Sequence, residues 1–294
     1  MRKFAEMFRS SWLAAGLLIG IVPTTSAQDL GATLKKINDS GKITIGHREA
    51  SVPFSYLDER KQVVGYAVDL CTKVADEVKK VLKKPDLAVA YAAVTPQNRI
   101  PLVVDGTVDL ECGSTTNTLA RQQQVDFSPV YFTTGTRILA RKSLGAKEIE
   151  GFKGKSVAAV AGSTNEKAIK ALVDAGKVAD LKLIAVKDYA EGLAALEEGR
   201  SDGFATDDIV LFGLMAKSRL KNELEVIGRF LTYDPYGIMF RRNDPDFRLL
   251  VTRTLAGLAR SGEIEKIYAK WFDPLGVPMS PLLKAAFELQ ALPE

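Results

Sequence analysis

SVAAVAG (156–162) stands in the middle of the chain and restarts a pattern that KITIGH (42–47) opens near its beginning. Both are short runs of the apolar, β-rich kind that forms a buried strand, and each leads into a segment with helical spacing. Outward from SVAAVAG, residues 164–175 read as a helix, 182–186 as a strand, 188–198 as a helix, 203–206 as a strand and 208–216 as a helix. Outward from KITIGH, residues 65–82 carry Val68, Cys71, Val74, Val78 and Leu82 on one helical face. Residues 87–94 then alternate as a strand, 97–104 read as a short helix and 108–112 as a strand. An amphipathic stretch, 30–39, precedes KITIGH and stops at Gly41, as helices often do. Strands alternating with helices call for a parallel sheet covered by helices, and two such runs call for two α/β units.

Between the units lies GTRILAR (135–141), and YGIMFR (236–241) follows the second with similar β character. The expected architecture is therefore two α/β lobes joined by a double-crossing β hinge, with the last helices, 245–271, returning to the first lobe. The boundaries on this reading are 28–137 and 237–294 for a discontinuous first lobe and 138–236 for the second.

Arg2, Lys3 and Arg9, an apolar run at 12–22 and the small residues Thr25, Ser26 and Ala27 form a signal peptide, with cleavage expected near Ala27. The apolar run is shorter than the roughly 18 residues that a spanning helix needs, and no later stretch of the sequence is long and apolar enough. No Cys follows the run, so a freely diffusing mature protein is expected. Removing the leader takes away Arg2, Lys3, Arg9 and Glu6 and lowers the net charge from +4 to +2. With basic and acidic residues interspersed throughout, nucleic acid is not an expected partner.

His47 is the single histidine. A histidine-based zinc site cannot be assembled, and no G-x-S-x-G motif accompanies His47 for a Ser-His-Asp hydrolase, so no metal and no cofactor are expected. His47 reads as a structural or pocket-rim residue. GKS (154–156) fails as a phosphate loop, because Ile149 stands where the first Gly would be and the triplet precedes a strand. Cys71 and Cys112 either pair, as the secreted compartment allows, or remain two separate buried thiols.

The stretch ECGSTTNTLARQQQVDFSPVY (111–131) is the richest in binding chemistry. It leaves a strand, passes Ser114, Thr115 and Thr116, and enters a short helix that carries Arg121. Free N–H groups at such a turn, with hydroxyls beside them, suit a carboxylate, and a guanidinium can add a bidentate grip. Plain N-capping is the structural role open to Ser114 and Thr116.

IGHREASVPFSY (45–56), VVGYAVDL (63–70), TPQNRIPLV (95–103), GTVDLECGSTTNT (106–118), RQQQVDFSPVYF (121–132) and SGEIEKIYAKWF (261–272) together resemble the polar amino-acid-binding proteins of ABC transporters, solute-binding family 3, and most closely their glutamate/aspartate-binding members. The resemblance spans the mature chain. It implies the type II periplasmic binding protein-like fold, glutamate or aspartate as ligand in the interlobe cleft, a membrane permease as partner, a periplasmic location and a monomer. It also implies roles residue by residue. Ser114 and Thr116 would meet the α-amino group and carboxylate, Arg121 would clamp the α-carboxylate, and Thr164 would close on it from the second lobe. Asp207 would pair with the ammonium, and Arg48 and Arg99 would hold the side-chain carboxylate. The chain departs from the pattern at Pro96, where relatives often carry Ser, and at Tyr189, where they may carry His; the Tyr189 hydroxyl can replace one lost donor.

Two other readings fit the same scaffold. One is an enzyme related to cyclohexadienyl dehydratase, which would want a carboxylate poised near neutral pH; the other is a binding protein for glutamine or asparagine. A sensory input domain would require a membrane span and a signalling segment.

Overall fold

A computed structural model describes residues 30–294; the signal peptide expected from the sequence, with cleavage near Ala27, lies outside them. The first sheet runs in the order Ala88–Ala93, Lys42–His47, Leu110–Glu111, Met239–Arg241, Val125–Phe127. Its first three strands are parallel, with Ile43 opposite Val89 and Ile45 opposite Leu110, and Met239–Arg241 pairs antiparallel with both neighbours. The second sheet follows the same plan, in the order Lys182–Val186, Ser156–Val160, Gly203–Asp207, Thr136–Arg141, Leu224–Ile227. Three strands are again parallel, and Thr136–Arg141 is antiparallel to both of its partners. KITIGH and SVAAV occupy the same place in the two sheets. Both are buried along nearly their whole length, which is why neither alternates in polarity.

The chain crosses between lobes along one short antiparallel ribbon, Phe132–Thr134 paired with Asp234–Tyr236. Each crossing then feeds an antiparallel strand into the sheet that it enters: Thr136–Arg141 in the second lobe and Met239–Arg241 in the first. The first crossing thus lies just ahead of GTRILAR and the second ends on Tyr236, the first residue of YGIMFR, while the rest of both segments leads into sheet strands. The β character of those two segments belongs to buried sheet positions. The ribbon is only three residues long on each side and contains Pro235, so it carries little strand pattern of its own.

The ribbon is anchored by aromatic packing in the first lobe. Phe132 stacks on Phe272 at 5.0 Å, and Phe54 meets Phe132 and Tyr236 edge-on at 4.9 and 5.1 Å. Helices Pro245–Arg260 and Glu263–Phe272 pack against Tyr66–Val81. Among the elements not legible from the pattern are the edge strands Val125–Phe127 and Leu224–Ile227, the small sheet Ala50–Ser51, Ser55–Leu57, Val63–Val64, whose strands are too short to show a period, and the C-terminal helix Pro281–Gln290.

Of the two states open to the cysteines, the structure has the pair. Cys71 on the helix Tyr66–Val81 is bonded to Cys112, just past the strand Leu110–Glu111, with a Cα–Cα distance of 6.3 Å. The bond ties helix to sheet immediately before the turn that carries Ser114, Thr115 and Thr116. Closing 41 residues of chain restricts the unfolded state by roughly 4 kcal/mol on the chain-entropy account. Replacing both cysteines by alanine should therefore lower Tm by roughly 10 °C; an unchanged melting curve, with or without reductant, would show that the bond does not form in solution.

Candidate functional site

The eight residues singled out in the sequence converge on the space between the lobes. Arg48 follows the strand Lys42–His47, Arg99 opens the helix Arg99–Val104, and Ser114, Thr116 and Arg121 lie on the turn and short helix after Leu110–Glu111. From the other lobe, Thr164 and Tyr189 are the first residues of helices Thr164–Asp174 and Tyr189–Glu197, and Asp207 ends the strand Gly203–Asp207. The second-lobe residues thus sit where parallel strands end and helices begin, the face that open α/β sheets present to ligands.

Contacts join the two sides. Ser114 and Tyr189 share a hydrogen bond at 3.0 Å, and Thr116 lies 3.4 Å from Thr164. The Arg48 guanidinium stands 4.9 Å over the Tyr189 ring. At the cleft edge Gln97 donates to the Lys187 carbonyl at 3.3 Å. The lobes are closed on each other in this structure, and of the eight only Thr164 is more than marginally exposed. Pro96, where a hydroxyl was expected to be missing, is buried and faces Gly162 of the second lobe.

Three guanidinium groups share this dry space. Arg48 and Arg99 are each 3% exposed and Arg121 is 7% exposed. Arg121 donates to the Thr116 carbonyl at 2.7 Å and Arg99 to Thr115 Oγ1 at 2.5 Å, while Arg48 Nη1 and Arg99 Nε have no hydrogen-bond partner among the described residues. Burial, reinforced by the like charges of Arg121 and Arg48, brings Arg99 down to about 9, and burial lowers Arg121 as well. Cations held this way attract anions strongly, because water cannot solvate them.

The acidic side of the cleft is larger than the sequence suggested. Asp207 accepts from Asn165 Nδ2 at 2.8 Å and from the Tyr236 hydroxyl. Asp234, on the hinge ribbon, accepts from Thr116 at 2.8 Å and from Thr232. Burial first, and then the neighbouring Asp234, push the Asp207 carboxyl up to about 7. Glu111 is fully buried in the first lobe and accepts from Thr115 at 2.5 Å. Asn165, Asp234 and Tyr236 were missed because they lie far along the chain from the motif that they support, and Asp234 sits in a ribbon without strand pattern. Glu111 stands inside the quoted 111–131 stretch, and a carboxylate next to a buried strand end was the available signal. Among the described residues no group of His, Cys, Asp and Glu side chains is placed to hold a metal ion.

A carboxyl raised by folding adds stability below the ordinary carboxylate range and loses it as pH climbs through its folded value. The ligand-free closed form should therefore lose stability between about pH 4 and pH 7, the window between the ordinary carboxylate value and that of Asp207 at about 7. Denaturation of ligand-stripped protein across that window checks this: Asp207→Asn should flatten the slope, and an unaltered slope would assign the titration to another group.

The profile of the bacterial extracellular solute-binding proteins, family 3, matches residues 43–274. The L-glutamate/L-aspartate-binding protein of Pseudomonas aeruginosa is 43% identical over 291 residues, covering 96% of this chain and 95% of that one. The glutamate/aspartate import solute-binding protein of Escherichia coli is 41% identical over 272 residues, covering 92% and 89%. Among solved structures, an ancestral amino acid-binding protein, a precursor of cyclohexadienyl dehydratase, superposes with a TM-score of 0.71 at 29% identity, covering 82% of this chain and 100% of the other. The profile spans both lobes of this fold, and the chain belongs to the bacterial extracellular solute-binding proteins, family 3.

Proposed function

We propose that this protein is the solute-binding component of an amino-acid ABC importer, that it works in the periplasm as a monomer without a cofactor, and that it delivers glutamate or aspartate to a membrane permease. The observation that carries this reading is the gathering of three buried guanidinium groups, Arg48, Arg99 and Arg121, with the Asp207 carboxyl in one interlobe cleft. A zwitterion with a second carboxylate offers two anionic groups for the guanidinium cluster and one cationic group for Asp207. The names of the relatives from P. aeruginosa and E. coli support the same ligands.

In this reading Arg121 clamps the α-carboxylate, helped by Ser114, Thr116 and Thr164. Asp207 takes the ammonium, which favours its ionised form over the neutral one. Arg48 and Arg99 hold the distal carboxylate, and the Tyr189 hydroxyl supplies a donor beside them. Because Arg121 and Asp207 belong to different lobes, both ends of the amino acid are gripped together only when the lobes are shut. Ligand then biases the protein toward the closed state, and the permease reads that shape. One observation favours an enzyme on this scaffold, namely a buried carboxyl near neutrality; we read Asp207 as the ammonium's partner, and mass analysis of amino acids recovered unaltered after incubation with the protein tests that choice.

Calorimetric titration of ligand-stripped protein should give glutamate or aspartate an advantage of more than about tenfold over their amides, since each charged hydrogen bond contributes about 1.5–3 kcal/mol. Glutamine or histidine binding more tightly than both acids would overturn the assignment. Arg121→Ala should weaken every amino acid alike, by roughly 3–5 kcal/mol, because it strands a carboxylate common to all, whereas Arg48→Ala should harm acidic ligands selectively. Distances between labels on the two lobes should shorten on adding ligand, and Asp207→Ala should greatly reduce that change; a constant distance at saturation would refute closure.

A further inference from the structure

Glu111 has no part in the roles above, yet its environment is built around it. It ends the strand Leu110–Glu111 and is wholly buried. It also stands close to Arg48: a β-carbon added at Gly113 would lie 2.6 Å from Glu111 Oε1 and 2.7 Å from Arg48 Cγ, so the carboxylate and the Arg48 stem approach the same point. Glu111 Oε2 accepts from Thr115 Oγ1 at 2.5 Å, and the same hydroxyl oxygen accepts from Arg99 Nη1 at 2.5 Å. A single buried hydroxyl, with its one proton given to the carboxylate, thus separates an anion from a cation.

Glu111 Oε1, like Arg48 Nη1 and Arg99 Nε, is buried with no hydrogen-bond partner among the described residues. The carboxylate acts on Arg99 and Arg121 electrostatically, opposing the effect of burial on each. A buried carboxylate is costly. A glutamine would offer Thr115 the same acceptor without that cost, so what glutamate adds here is its charge.

We infer that Glu111 is a specificity-determining residue: joined to Arg99 through Thr115 and standing beside the Arg48 stem, it offsets one positive charge of the guanidinium cluster, leaving the distal end of the pocket matched to a side chain carrying a single negative charge. The inference rests on the cleft being a glutamate/aspartate site. Without Glu111 the distal end holds one positive charge more than the ligand side chain can offset. That surplus favours an acid over its amide more strongly than in the wild type and favours a doubly charged side chain over a singly charged one.

The test is calorimetric titration of the mature protein and its Glu111→Gln and Glu111→Asp variants with L-glutamate and L-glutamine. Glu111→Gln should raise the glutamate-to-glutamine affinity ratio by about tenfold or more, and Glu111→Asp, which keeps the charge, should stay within about threefold of wild type. Equal weakening of both ligands by Glu111→Gln would reduce Glu111 to a packing role, and a lowered ratio would mean that it serves only to position Arg99; either result overturns the inference. Should Glu111→Gln not fold, the wild-type protein provides the second arm with O-phospho-L-serine, whose phosphate gains its second charge near pH 6. Its affinity relative to glutamate should fall as pH rises through about 6, and a flat or rising ratio overturns the inference. A wild-type protein that binds neither acidic amino acid defeats the ligand assignment and this inference with it, whereas a wild type that prefers glutamate by a ratio unmoved in Glu111→Gln defeats this inference alone.

Discussion

Burying three guanidinium groups in one cleft is unfavourable unless anions share it, and much of the molecule is arranged around that constraint. Arg48, Arg99 and Arg121 come from separate segments of the first lobe, each at an element boundary where backbone groups and hydroxyls can also face the cleft. Thr115 and Glu111 take up part of the positive charge. The unpartnered N–H groups of Arg48 and Arg99 leave the remainder for a ligand. The disulfide holds the strand end that carries Glu111 and the turn after it, so the cations sit on a braced platform.

The second lobe and the hinge contribute the opposite sign. Asp207 ends a second-lobe strand and Asp234 lies on the ribbon that the chain crosses, and each is hydrogen-bonded to a residue of another part: Asp207 to Tyr236 of the ribbon, Asp234 to Thr116 of the first lobe. Burial in this closed, dry space is the main cause of the upward displacement at Asp207, and the repulsion of the neighbouring Asp234 carboxyl adds to it. An ammonium brought between the lobes relieves that repulsion. On the proposed reading binding and closure are parts of one electrostatic event, and the aromatic cluster of Phe54, Phe132, Tyr236 and Phe272 anchors the ribbon between the lobes.

Much of the site was legible in the sequence for a particular reason. Ser114, Thr116 and Arg121 fall within one short stretch, and a strand followed by hydroxyls and a basic helix has a local chemical meaning whatever surrounds it. Arg48, Arg99, Thr164 and Asp207 stood out only through the motifs around them, since a lone arginine or aspartate in a sequence is usually a solvated charge. Asn165 and Asp234 could not be read at all: their roles are hydrogen bonds to Asp207 and Thr116, over separations of 42 and 118 residues.

Periodicity and turn residues are local properties, so the sequence by itself determined the order of strands and helices, the restart of the α/β pattern at Ser156 and the two-lobed plan. It also determined the sign of the pocket's main cations, because residue type sets charge. Which strands pair across the crossings, whether Cys71 meets Cys112, and how many carboxylates face the three arginines were decided only by the tertiary structure. Those outcomes depend on distances between groups remote in sequence, and in a buried site those distances set the electrostatic energy.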